Sequence, residues 1–190
     1  MLDLAGVHVD AARAGILADG LSGATFLRVL KLTYMNLDED SVVHIFRLLN
    51  ECRALEVLNL QRNSLHAAAL SAAVETLHRP CMLRELDLSC NEFGPQGVAC
   101  LGRVHHLFPK LLRLDLSCCR LDVNGAMLAA KVLPHWPCLQ RVNIAANDMG
   151  DAGGRALGEA QRVARWVLDL SANGISKRVQ KLLREQGCRV

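Results

Sequence analysis

Leu83-Arg-Glu-Leu-Asp-Leu-Ser-Cys-Asn-Glu-Phe93 sets apolar residues at Leu83, Leu86, Leu88 and Phe93 around a single inward-type polar residue, Asn91. The same string stands 28 residues earlier, at Leu55, Leu58, Leu60, Asn63 and Leu65, and 28 residues later, at Leu111, Leu114, Leu116, Cys119 and Leu121. Working outward, it recurs at Leu27, Leu30, Leu32, Met35 and Leu37, and at Leu139, Val142, Ile144, Asn147 and Met149. A last copy keeps Leu168, Leu170, Asn173 and Ile175 but has Arg165 where the first leucine belongs. From Met35 to Asn173 the slot residues step by 28 four times and then by 26, a register that chance does not hold. Carrying the frame back by 28 lands on Leu2, Leu4, Val7 and Val9, so seven strand segments are expected.

Between the strings the apolar spacing changes to steps of four: Leu37, Ser41, Ile45, Leu49; Leu65, Ala69, Ala73, Leu77; Leu121, Gly125, Ala129, Leu133. That is helical spacing, with a small residue in second place where the helix must lie close to its strand. Each unit is therefore a short strand, a turn and a helix. One such unit cannot bury both apolar faces alone, so the units stack and their strands join in a parallel sheet. The expected fold is an α/β solenoid, a horseshoe with the parallel sheet on the concave face and helices on the convex face, about seven units of 28 residues. It forms a single domain over residues 1–190: a partial first unit at 1–26, five regular units at 27–164 and a C-terminal capping unit at 165–190. Two units depart locally, with His105 and Gln161 at the helix-leucine place; Val104, Leu107 and Phe108 in one and Val163 in the other are expected to substitute.

The pattern resembles the ribonuclease-inhibitor-like class of leucine-rich repeats, whose consensus continues as L-x-x-x-G-x-x-x-L-x-x-x-L after the strand motif. The resemblance covers nearly the whole chain. It implies a curved solenoid serving protein recognition, in a class that includes nuclease inhibitors, sensor domains of innate-immunity receptors, the activator of the Ran GTPase, and ciliary and other assembly subunits. In such a motif Asn63, Asn91, Asn147 and Asn173 turn inward to satisfy backbone groups at the strand exits. Met35 and Val7 cannot, so the N-terminal units are expected to be less regular.

Strand side chains alternate, so the residues between the paired leucines project from the inner face. The central column reads Asp3, Lys31, Asn59, Asp87, Asp115, Asn143, Asp169, and a neighbouring column reads Val29, Val57, Glu85, Arg113, Arg141, Val167. Strands lie about 4.8 Å apart, which puts Asp87 beside Asp115 with Glu85, Arg113 and Arg141 close by. Two such carboxylates invite a cation, supplied by an arriving Arg or Lys of a partner; alternatively Arg113 and Arg141 already neutralise them. Tyr34 and Arg62, just past their strands, are residue types common among interface anchors. The expected partner-binding set is therefore Lys31, Tyr34, Asn59, Arg62, Glu85, Asp87, Arg113, Asp115, Arg141, Asn143 and Asp169.

Composition narrows the remaining classes. Half the residues are apolar (51%) and only 4% aromatic, so the core is aliphatic; 22 Lys+Arg against 19 Asp+Glu give +3, too little charge to point to nucleic acid. Charges interrupt every apolar run, and no membrane span is expected. The first 25 residues lack a basic start followed by an apolar block, and Asp3, Asp10 and Asp19 speak against a transit peptide. Eight cysteines in a chain with so large a core suggest free thiols in a reducing compartment, the cytoplasm, without excluding a cilium or the nucleus.

The signatures G-x-G-x-x-G, H-E-x-x-H and G-x-S-x-G are absent, so no enzyme, cofactor or small-molecule substrate is expected. His78-Arg-Pro-Cys81 and His135-Trp-Pro-Cys138 look like ligand pairs but lie two units apart, and their prolines, with Pro109, are expected to end helices. Cys90 and Cys118 occupy matching places in adjacent units, where thiols about 5 Å apart suit a redox pair or a metal site, but Cys119, directly after, fills the inward slot as a small core residue and no metal is expected. The basic helix after Ser176, with Val179, Leu182 and Leu183 on one face, is expected to cap the stack, whereas the first strand has no cover. Three functions follow: a non-catalytic module binding a protein on its concave face; a structural subunit of a larger complex, ciliary or ribonucleoprotein, docked through the N-terminal end; and a GTPase regulator resembling the Ran activator.

Overall fold

The computed structural model describes residues 1–190. Strand and helix alternate throughout: β1 (Leu2–Asp3), α1 (Ala11–Leu21), β2 (Val29–Lys31), α2 (Glu39–Glu51), β3 (Val57–Asn59), α3 (Ala67–Glu75), β4 (Glu85–Asp87), α4 (Gly94–Val104), β5 (Arg113–Asp115), α5 (Asp122–Val132), β6 (Arg141–Asn143), α6 (Gly150–Ala164), β7 (Val167–Asp169) and α7 (Lys177–Glu185). The seven strands form one sheet in chain order. Every pair is parallel, and the register equals the sequence period: Leu58 lies beside Leu86, Leu86 beside Leu114, and Asn143 beside Asp169 across the short unit. This is the α/β repeat solenoid that the 28-residue period predicts.

Alternation places the side chains as the pattern requires. Leu30, Leu58, Leu86, Leu114, Val142 and Leu168 are all buried, while the residues on either side of each are only partly covered or exposed. Asn91 shows what the slot does: its Nδ2 donates to the Leu60 and Leu88 carbonyls at 3.0 and 2.8 Å, and its Oδ1 accepts from the Asn63 and Leu65 N–H groups at 3.0 Å each. Asn63, Asn147 and Asn173 repeat the donor pattern. One amide side chain thus satisfies donors and acceptors of two units, which a buried, irregular strand exit demands.

Helix starts are set locally. Asp10 and Asp38 accept from the N–H groups of Arg13 and Ser41 at 2.9 and 2.8 Å, standard side-chain caps. The small second-place residues are needed for closeness: a Cβ on Gly153 would come within 2.7 Å of Met149 Cβ and 2.8 Å of Ala126 Cβ. The core is one cluster of 53 buried residues running from Val9 to Cys188.

Several local expectations need correction. The irregularity expected of the N-terminal units is confined to the first, where β1 has two residues and the slot residue Val7 is 51% exposed; Met35 is itself buried and its N–H reaches Asn63 Oδ1 of the next unit at 2.9 Å. Val163 does not substitute for the helix leucine, being 81% exposed; Gln161 stays buried by donating to the Trp166 carbonyl at 3.0 Å, and the Trp166 ring is buried in that unit. In the other atypical unit Leu107 and Phe108 are buried as expected, through a 3₁₀ turn at His105–Leu107, while Val104 is only partly covered. Pro109 and Pro137 follow by two residues the 3₁₀ turns His105–Leu107 and Leu133–His135 in which α4 and α5 run out, whereas Pro80 stands well beyond α3, which finishes at Glu75. In α7, Val179 and Leu183 are buried but Leu182 is 42% exposed. No helix is long and apolar enough to cross a membrane.

Candidate partner-binding face

The exposed face of β2–β7 encloses a depression of about 440 Å³. Lys31, Asn59, Glu85, Asp87, Arg113, Asp115, Arg141, Asn143 and Asp169 line it, with Val57 and Val167 at its sides. Parallel in-register pairing creates this arrangement, because it carries each column straight across the sheet. Asp87 is the register partner of Asp115, Glu85 of Arg113, and Arg113 of Arg141.

Within the central column each short polar side chain also closes its own turn. Asp87 Oδ1 accepts from Ser89 N–H and Ser89 Oγ at 3.0 and 2.7 Å; Asp115 Oδ1 accepts from Ser117 N–H and Oγ at 2.9 and 2.7 Å. Asp169 does the same with Ser171, and Asn59 and Asn143 cap Gln61 and Ala145 N–H groups. The remaining oxygens of the two central carboxylates face neutral donors: Asn59 Nδ2 donates to Asp87 Oδ2 at 3.0 Å and Asn143 Nδ2 to Asp115 Oδ2 at 2.8 Å. Asx-type turns of this kind explain why Asp and Asn recur in the column.

Neutralisation by Arg113 and Arg141 does not occur. The Arg113 guanidinium is taken by Glu85 at 2.6 Å, and Arg141 lines the depression without an acidic partner. Asp3 and Asp169, in contrast, have cations, Lys31 at 3.6 Å and Arg189 at 3.2 Å. Asp87 and Asp115 are therefore two adjacent carboxylates held by dipoles alone. Burial pushes the Asp87 carboxyl above its ordinary value; hydrogen bonds from Ser89 oppose the shift, and the neighbouring Asp115 charge adds to it.

Two expected residues lie elsewhere. Tyr34 and Arg62 sit in left-handed corners after their strands (φ 56° and 57°) and border a separate depression with His8, Asn36 and Ser64. One contributor escaped the sequence reading: Arg189. The chain after α7 returns to the sheet edge, where Arg189 N–H donates to the Leu168 carbonyl at 2.9 Å and Leu170 N–H to the Arg189 carbonyl at 2.7 Å. This brings the guanidinium to Asp169. Nothing in the repeat period foretells it, because Arg189 lies outside the motif.

Comparison with known proteins agrees with this architecture. Residues 79–102, 109–128 and 136–158 match the family model described as Leucine Rich repeat. Over 165 residues, 85% of its length, the chain is 34% identical to the Mus musculus protein called NACHT, LRR and PYD domains-containing protein 12. It spans 16% of the length of that relative.

Proposed function

The chain belongs to the leucine-rich-repeat proteins, a class that generally acts by binding other proteins, and we propose that it is a non-catalytic interaction module whose sheet face takes a basic segment of a protein partner. Residues 1–190 act in this reading as one binding unit, and its eight free thiols favour a reducing, cytoplasmic setting. The observation that carries the reading is the pair Asp87 and Asp115, register partners in a depression of about 440 Å³ with no cation of their own. An arriving Lys or Arg supplies the missing counter-charge, and its hydrogen bonds to carboxylates are of the strong, charge-assisted kind. Glu85 and Asn143 border the same spot, while Val57 and Val167 offer apolar contact at the flanks.

The reading is tested with a set of labelled lysine- and arginine-containing peptides, their alanine counterparts as controls, and fluorescence anisotropy. Asp87→Asn combined with Asp115→Asn removes both charges while keeping an oxygen for the Ser89 and Ser117 N–H groups. The double variant is expected to lose at least about tenfold in affinity, roughly 1.4 kcal/mol, with its fold intact. Equal affinity of the variant and the native chain contradicts the reading, as does failure of every basic peptide to bind the native chain.

A further inference from the structure

Seven left-handed corners follow the seven strands, and two adjacent ones carry cysteine: Cys90 with φ 55° and Cys118 with φ 53°. Like conformations one unit apart send both side chains the same way. Their spacing is fixed by the sheet, since Asp87 pairs with Asp115 and the Cys90 N–H donates to the Ser117 carbonyl at 2.8 Å. A separation near the strand spacing of about 4.8 Å falls inside the Cα range that a disulfide spans, roughly 4.4–6.8 Å. Access is graded: Cys118 is exposed and Cys90 half-buried.

The other six thiols are placed differently. Cys52, Cys81, Cys100, Cys119 and Cys188 are buried, and Cys138 is exposed in another loop. Cys119, next in sequence to Cys118, points inward, with Sγ 3.3 Å from the Leu88 carbonyl and 3.4 Å from that of Ser117, and burial pushes its thiol up to about 12. It is thereby kept protonated and out of reach.

We propose that Cys90 and Cys118 form a reversible dithiol–disulfide site that is closed by low-molecular-weight disulfides such as glutathione disulfide. The exposed Cys118 thiolate attacks one sulfur of the reagent, forming a mixed disulfide and releasing one glutathione thiolate. The Cys90 thiolate then attacks the Cys118 sulfur and expels the second glutathione. Two protein thiols lose two electrons and two protons; one reagent disulfide becomes two thiols, so the exchange balances without water or metal. The site stands independently of the partner-binding reading, because no residue of the depression takes part.

Burial first, and then the neighbouring Cys90, hold the Cys118 thiol above its ordinary value, so closure accelerates as pH rises past the ordinary thiol range. The test incubates the folded chain with glutathione disulfide, blocks remaining thiols with N-ethylmaleimide and maps the digest by mass spectrometry without reduction. The expected product is a Cys90–Cys118 cross-link, with Cys138 kept as an open mixed disulfide. Cys90→Ser is expected to trap the glutathione adduct on Cys118, and Cys118→Ser to abolish the cross-link. A native chain, folded by circular dichroism, in which Cys118 accumulates an open adduct like that of Cys138, or pairs with another cysteine, or stays unmodified while Cys138 reacts, overturns the proposal.

Discussion

At the scale of single residues, the asparagine slots do the most for stability. Replacing Asn91 by Ala strips the Leu60 and Leu88 carbonyls and the Asn63 and Leu65 N–H groups of partners in a buried place. A loss on the order of 3 kcal/mol is expected, read from urea unfolding followed by the fluorescence of the buried Trp136 and Trp166; a loss below about 1 kcal/mol would show that water replaces the amide. Cys119 is the weak member of the ladder, its Sγ donating to the Leu88 carbonyl at 3.3 Å where the neighbouring units have an amide. Cys119→Asn is accordingly expected to gain about 1 kcal/mol. These slots were legible from the 28-residue step alone. The second duty of Asp87 and Asp115, closing turns with Ser89 and Ser117, was not, because it depends on a bend that the strand alternation does not describe.

Asp87 also sets a pH dependence. Its folded value lies above the ordinary 3.8, so the carboxylate that a basic ligand needs is lost as pH falls through that raised value, before an ordinary aspartate would protonate. The linkage to stability has the opposite direction: this group's contribution is present below 3.8 and is lost as pH rises through the folded value. Peptide affinity, titrated by anisotropy, is expected to decline already above pH 3.8; a curve flat down to that value removes Asp87 from the site.

At the scale of elements, the small residues of the helices decide how tightly the units stack. In Gly153→Ala the new methyl meets two Cβ atoms, Met149 at 2.7 Å and Ala126 at 2.8 Å, neither of which can swing away. Overpacking between α5 and α6 is expected to cost about 1–3 kcal/mol in the same unfolding assay, and an unchanged midpoint would mean that the two helices separate freely. Steps of four along the sequence pointed to this contact in neighbouring units, at Ala69 and Gly125. The same steps misled where the unit is two residues short. There the chain turns left-handed at Arg165 and buries Trp166, leaving Val163 in solvent, an exchange governed by the backbone turn rather than by spacing.

At the scale of the whole molecule, the repeat converts sequence columns into a surface. The alternation identified the charged centre of that surface, and parallel register made Asp87 and Asp115 neighbours. What remained hidden was which cation serves which anion. Side-chain reach sent Arg113 to Glu85, and a chain end outside the repeat delivered Arg189 to Asp169, so the two central carboxylates stay uncompensated. Attraction of this kind is screened by salt, with a Debye length of about 10 Å at 0.1 M and about 3 Å at 1 M. Affinity for basic peptides is therefore expected to fall as sodium chloride is raised over that range, and salt-independent binding would point to the apolar flanks instead.

The location of the bound segment is tested most directly by backbone amide chemical shifts of the isotopically labelled chain, recorded with and without a basic peptide at saturating concentration. Perturbations centred on residues 57–59, 85–87, 113–115 and 141–143, in strands β3 to β6, are predicted. Perturbations confined to helices α2 to α5, with those strands unmoved, would contradict the assignment of the sheet face as the binding surface.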